Sequence, residues 1–359
     1  MATWNISASD VRITAVALPE YDARFQRTDG WIGADGDYSA ALDDNTVVWL
    51  FSDTFIGSVR DNRRVNATLI NNSVGIQHLK SSKPIEFYYG TNADGQPAAF
   101  VTPDDGKGYF WLFSGVSTSN GLSIFLTRVR QSDANPAFPF KTFGMALGHI
   151  SNPLDPPSKW RITQQQVPFC RFTDSGSLLL GSATLKVGSY VYVYGSDSLR
   201  KDKDGKRLNS MIAARVPEDK LGDFSKWRFL SGGKWITNAT RCDTLFAGPP
   251  TEFSVSYVPG IKQYAAVYMH HGIFGKIMVR LSPTPEGPWG EEKMVFDCPD
   301  QNWHKAAYSY AAKAHPELST NPNELIVTYA TNSMEFADLF EDARLYWPRF
   351  IRLTFDSPK

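Results

Sequence analysis

No apolar run in this sequence approaches the roughly 18 residues that a membrane-spanning helix needs, so no membrane partner is expected. Neither sign of charge is in excess. Lysine plus arginine number 37 and aspartate plus glutamate 37, which leaves no global field to attract nucleic acid. Cysteine is scarce: Cys170, Cys242 and Cys298 are far apart and odd in number, which supports neither a disulfide framework nor a zinc site. No metal and no cofactor are expected. Residues 1–7 (MATWNIS) lack a basic head followed by an apolar stretch, so no signal peptide is expected; a mature form would be secreted or periplasmic. Helical periodicity is also thin, and residues 332–344 (NSMEFADLFEDAR) are the best short candidate.

Aromatics, by contrast, make up 13% of the chain, and β-branched and aromatic runs recur along it. Five runs stand out: residues 47–51 (VVWLF), 109–113 (YFWLF), 190–194 (YVYVY), 264–268 (YAAVY) and 325–329 (LIVTY). Their mean spacing is about 70 residues, and five such units fill nearly the whole chain. Ahead of each run lies another strand candidate, at 37–42, 97–101, 178–185, 252–258 and 310–318. Four of the runs are followed by a third strand ending in arginine and an aliphatic residue: Arg128-Val129, Arg215-Val216, Arg280-Leu281 and Arg352-Leu353. Residues 71–78 take that place in the first unit. A fourth segment opens with Trp160, Trp227 or Trp289, with 85–90 as the first unit's counterpart. Four antiparallel strands repeated radially describe a propeller blade. The expected fold is therefore all-β: a single five-bladed β-propeller domain over residues 1–359, with four antiparallel strands per blade. A strand near residues 10–18 closes the last blade. A β-sandwich, or two stacked β-domains, is the competing architecture.

In such a fold the loops entering each inner strand, and those after each second strand, open on one face. This alignment pools Asp35, Asp37, Asp53, Asp197, Glu252, His270, His271, His315 and Asn332 around one axis. The densest segment is 28–57, where Asp35 and Asp37 precede one strand and Asp53 ends the next. Antiparallel pairing sets those ends side by side. Two such carboxyl groups are what glycosidic hydrolysis requires, one to protonate the leaving oxygen and one as base or nucleophile. Asp-Gly is also ordinary turn chemistry, and the Asp35–Asp37 spacing would suit a calcium loop, although no EF-hand pattern accompanies it. Glu252 heads the apolar strand EFSVSYV, a costly place for an acid without a partner or a function. The candidate catalytic residues are thus Asp35, Asp53 and Glu252. Trp31 is placed either to stack on a sugar face or to cap the core at the rim, and Asp37, Asp197, His270, His271, His315 and Asn332 to hold sugar hydroxyls.

The segments GADGDYSAAL, VVWLFSDTFIG, INNSVGIQ, TEFSVSYVPGIKQYAAVY, SPTPEGPW and AAKAHPEL together resemble a family of bacterial propeller proteins, formerly domains of unknown function, that includes endo-D-arabinanases. The wider fold resembles the five-bladed glycoside hydrolases. The resemblance runs from about Thr28 to Tyr329. It implies that Asp35 and Asp53 carry the chemistry, with Glu252 as a further carboxylate of the site. One departure is Ser52, where the family pattern leads one to expect glycine. The expected function is a glycoside hydrolase, monomeric, acting on a polysaccharide or oligosaccharide such as an arabinan-like furanoside. The alternatives are a non-catalytic carbohydrate-binding propeller and a glycoside phosphorylase, the latter weakened by few cations beyond Lys313. A sialidase is disfavoured by the lack of an S-x-D-x-G-x-T-W repeat.

Overall fold

A computed structural model describes residues 10–133, 139–201, 204–205, 207–270 and 275–356. Among the described residues the protein is all-β with two short α-helices. Its antiparallel sheets follow the chain in order. Sheet I comprises Tyr38–Ala41, Thr46–Phe51, Ser73–His78 and Glu86–Tyr88. Sheet II comprises Tyr109–Thr118, Gly121–Gln131, Phe140–Ile150 and Ile162–Gln166. Sheet III runs from Gly176–Val187 through Tyr190–Asp197 and Ser210–Pro217 to Arg228–Ser231, with short strands added at its margins. Sheet IV is Phe253–Val258, Gln263–Met269, Lys276–Ser282 and Lys293–Asp297. Sheet V joins the chain ends: Ala307–His315, Glu324–Ser333 and Arg349–Asp356 are completed by Arg12–Ala17, whose register runs from Arg12 opposite Asp356 to Ala17 opposite Ile351.

The first strands of the five sheets pack against one another in a closed cycle, I to II to III to IV to V and back to I. Apolar side chains fill the wedges between neighbouring sheets. Leu50 and Val74 of sheet I share one apolar cluster with Leu112 and Leu126 of sheet II, and Val267 and Val279 of sheet IV share another with Val327 and Leu353 of sheet V. Each such fully buried side chain contributes about 1.5–3 kcal/mol relative to exposure. The closed cycle therefore rests on apolar burial between sheets as well as on hydrogen bonds within them.

Three features depart from the sequence reading. In the second unit, residues 109–118 form the innermost strand and Arg128-Val129 lies in the second strand, one place inward of expectation. Pro97–Ala98 pairs only with Gly90–Thr91. The two innermost strands of a sheet are buried on both faces, so a solid apolar run marks a central strand without giving its rank. Residues 332–344 are helical only over Asp338–Glu341, because Asn332 and Ser333 continue a strand and pair with Tyr308 and Ala307. The third departure is an excursion from sheet I. Asp29–Ala34, Thr54–Arg60 and Arg63–Ile70 form their own three-stranded sheet. Beside it the helix Pro19–Phe25, begun by a proline at its first turn, packs on Arg349–Asp356 of sheet V, and its Phe25 is buried among Trp31, Trp49 and Phe350.

Candidate active site

The excursion sheet gives the site its geometry. Two chain segments cross together from it into sheet I, one through Asp35–Gly36–Asp37 and the other through Ser52–Asp53. The backbones bond across the corner: Asp35 N–H donates to Asp53 O at 3.2 Å, and Ser52 N–H donates to Asp35 O at 2.9 Å. Gly36 makes the turn at φ +86°, and a Cβ there would lie 2.8 Å from the Ser52 amide nitrogen. The chain bends as it does because glycine alone fits that position. Buried Arg64 ties the corner to the far end of the chain, donating to the carbonyls of Ile32, Leu339 and Leu345.

Asp35 and Asp53 open into one cavity of about 340 Å³, shared with Glu252 and Asn332. Their surroundings differ. Asp53 Oδ1 accepts from the Trp111 indole N–H at 2.9 Å and from Asn71 Nδ2 at 3.4 Å, two groups that can only donate and so favour the ionised acid. Burial nonetheless raises Asp53 to about 6. Asp35 is held well above the usual carboxylate range, first by burial and then by the charges of Asp53 and Glu252. The hydroxyls of Tyr310, at 2.5 Å from Oδ2, and Tyr346 oppose that rise without cancelling it. Asp53 therefore ionises before Asp35, and its charge then makes Asp35 hold its proton more tightly.

Glu252 reaches the cavity with its side chain 23% exposed, while its Oε1 accepts from Lys313 Nζ at 3.0 Å. Lys313 also donates to Ala311 O at 2.8 Å and lies 4.4 Å from the centre of the Tyr38 ring. Backbone strain gathers here: Asp37, Ala311 and Tyr346 all adopt positive φ, at 47°, 61° and 66°. Such conformations cost about 1–3 kcal/mol each and persist where the surroundings enforce them.

Asp35, Asp53, Glu252 and Asn332 thus come together, and other expected site residues do not. Trp31 is 2% exposed, stacked on Phe87 at 4.1 Å and donating to Ser73 Oγ; the excursion sheet folds it into the core, where no sugar can reach its face. Asp37 is fully buried behind the cavity, raised to about 7 by burial and by Glu252 against the pull of Lys313, with neither carboxyl oxygen hydrogen-bonded. Asp197 is spent on a turn, where it pairs with Arg200 at 2.7 Å and accepts from the Leu199 amide. His270 bonds Glu292 at 2.8 Å outside the cavity lining. His315 is buried, with Ser39 on Nδ1, Thr328 on Nε2 and the Trp49 ring 4.8 Å away; burial and Lys313 depress it to about 3, so it stays neutral. His271 lies outside the described residues.

The sequence reading passed over Trp111, Tyr308, Tyr310 and Tyr346. Tyr308 and Tyr310 alternate along the first strand of sheet V, a spacing that sets both on one face. Tyr346 gave no such signal, since it arrives from a turn brought close only by folding. A second cavity of about 340 Å³ runs between the first strands, lined by hydroxyls such as Ser39, Ser182, Thr184 and Ser256. Among the described residues Glu317 is its one carboxyl group, so they offer no acid pair there. Among the described residues no group of three or more His, Cys, Asp or Glu is arranged to hold a metal ion. No helix among them is long and apolar enough to cross a membrane.

An all-β chain with an acid pair in a cavity has solved structural relatives. A "putative hydrolase" from Bacteroides ovatus is 20% identical, with 95% of this chain and 90% of that one covered and a TM-score of 0.75. That likeness shows the fold. A GH43_1 enzyme from Xanthomonas citri complexed with xylotriose is 13% identical over 98% and 93% of the two chains, at a TM-score of 0.48. A family 117 glycoside hydrolase from Zobellia galactanivorans is 7% identical over 97% and 91%, also at 0.48. Neither of these two carries an inference at that level of similarity. The chain belongs to the family described as "Domain of unknown function (DUF5005)", whose model matches residues 19–355. No curated protein matches the sequence.

Proposed function

We propose that this chain is a glycoside hydrolase, built as one five-bladed β-propeller domain, that cleaves an arabinan-like furanoside polysaccharide or oligosaccharide. The observation that carries the reading is the pairing of Asp35 and Asp53 at one corner in unequal environments. Two acids whose surroundings push their proton affinities apart divide into an acid and a base. Asp35, protonated, donates to the glycosidic oxygen as the bond to the anomeric carbon breaks. Asp53, ionised, removes a proton from the attacking water or itself attacks that carbon. Glu252 adds negative charge beside Asp35, which favours its protonated form. The five sheets and their cyclic packing support the propeller reading. The sugar follows from the resemblance to endo-D-arabinanases.

A phosphorylase is less well supported. Lys313, the cation that would hold phosphate, already serves Glu252, Ala311 and Tyr38. The test is release of sugar from arabinan, followed by chromatography, with Asp53→Asn as the decisive variant. Its turnover falls by about 10² or more while its melting temperature holds, because the amide keeps the side chain's shape but cannot serve as a base. Full turnover by both Asp53→Asn and Asp35→Asn would overturn the assignment.

A further inference from the structure

The acid cavity does not end at Asp53. A second compartment of about 380 Å³ adjoins it, and both are lined by Asp53, Phe140, Tyr308, Asn332 and Tyr346. Asp53 therefore stands at a junction, with open space on either side. The outer compartment differs in chemistry from the inner one. Among the described residues Asp53 is the sole charged one in its lining, and the other hydrogen-bonding side chains are neutral, among them Asn71, Gln131 and Tyr109. A lining of that kind suits the hydroxyls of an uncharged sugar chain and offers no cation to a uronate or a phosphate.

Its rim is apolar and exposed. Phe140, Met334 and Phe336 are 36%, 45% and 55% exposed, and all three border this compartment. Phe336 is not a loose side chain. Its ring meets Phe340 edge-on at 5.7 Å, and its turn is braced by Ser333 Oγ, which bonds Asp338 and the Glu335 amide. One side of the ring is thus anchored while the residue stays more than half exposed. Exposed apolar side chains gathered at the mouth of a polar cleft mark a binding surface. An aromatic ring accepts the C–H face of a sugar, and a methionine adapts to its outline.

We propose that the outer compartment binds the continuing chain of a neutral polysaccharide across Phe336 and Met334, so that cleavage at Asp53 falls within the polymer instead of releasing single terminal sugars. The cleavage half rests on the hydrolase reading; the binding half stands without it.

Binding is measured by affinity electrophoresis in gels containing arabinan, xylan or levan, and cleavage by the size of the earliest products from arabinan. Phe336→Ser and Met334→Ser each weaken retention by arabinan about 3- to 10-fold, as expected for loss of a stacking or packing contact. Leu154→Ser, at an apolar residue 66% exposed and outside both compartments, leaves retention unchanged. Early products are oligosaccharides of mixed length. Wild-type retention by none of the three polymers overturns the proposal, as does retention that Phe336→Ser and Met334→Ser leave intact. Monosaccharide as the only early product overturns internal cleavage. Retention that depends on Phe336, with no cleavage of any polymer, refutes the hydrolase reading and leaves the binding surface standing.

Discussion

Asp37→Asn removes a charge that the fold holds in an unfavourable place, and its effect is calculable because the substitution changes little else. Asp37 sits at φ +47°, a left-handed conformation that asparagine tolerates as well as aspartate does. Its carboxyl oxygens are buried without hydrogen-bond partners, so no donor is orphaned by the change. Burial, reinforced by Glu252 and opposed by Lys313, raises Asp37 from 3.8 to about 7. The native state therefore holds this proton more tightly than the unfolded chain does. As pH rises from about 4 the unfolded chain ionises first, and stability falls until the native carboxyl ionises near 7. The rise of about 3 pH units corresponds to about 4 kcal/mol lost once pH is well above 7. Asparagine does not titrate. Urea unfolding of the two proteins at pH 5 and pH 8.5 should show Asp37→Asn gaining about 3 kcal/mol more, relative to wild type, at the higher pH. An equal effect at both values, or a loss at pH 8.5, would refute the reasoning.

Trp111→Phe keeps an aromatic side chain but deletes the N–H that donates to Asp53, leaving only Asn71 at 3.4 Å. The acid limb of the pH–rate profile, near 6 in the wild type, moves upward by about one unit. Activity falls about tenfold below the limb and recovers above it, and an unmoved limb would remove Trp111 from the account. Gly36→Ala drives a methyl group against the Ser52 amide at a positive φ, prying apart the corner that joins Asp35 to Asp53. It lowers stability by about 1–3 kcal/mol in urea unfolding and reduces turnover; an unchanged protein would show that the corner does not need this turn.

Before any folding, the sequence determined the period of the sheets, the strand that opens the chain, and the hairpin holding Asp35 and Asp53. Those are local matters: apolar runs with turn residues between them, and antiparallel pairing that sets two strand ends together. Glu252 was legible for a related reason, being an acid at the head of an otherwise apolar strand. Tertiary structure decided which neighbours those acids would have. Trp111, Tyr310 and Tyr346 come from sheets II and V and a late turn, and their hydrogen bonds separate the behaviour of Asp53 from that of Asp35. It also decided burial. Trp31 and Asp37 lie within a few residues of Asp35, yet the excursion sheet turns one into the core and the corner turns the other behind the cavity. A strand's periodicity fixes which residues share a face, but what covers that face depends on segments as distant as residue 350. Proton affinity follows the covering, because desolvation and nearby charge set it, and both come from the far side of the chain.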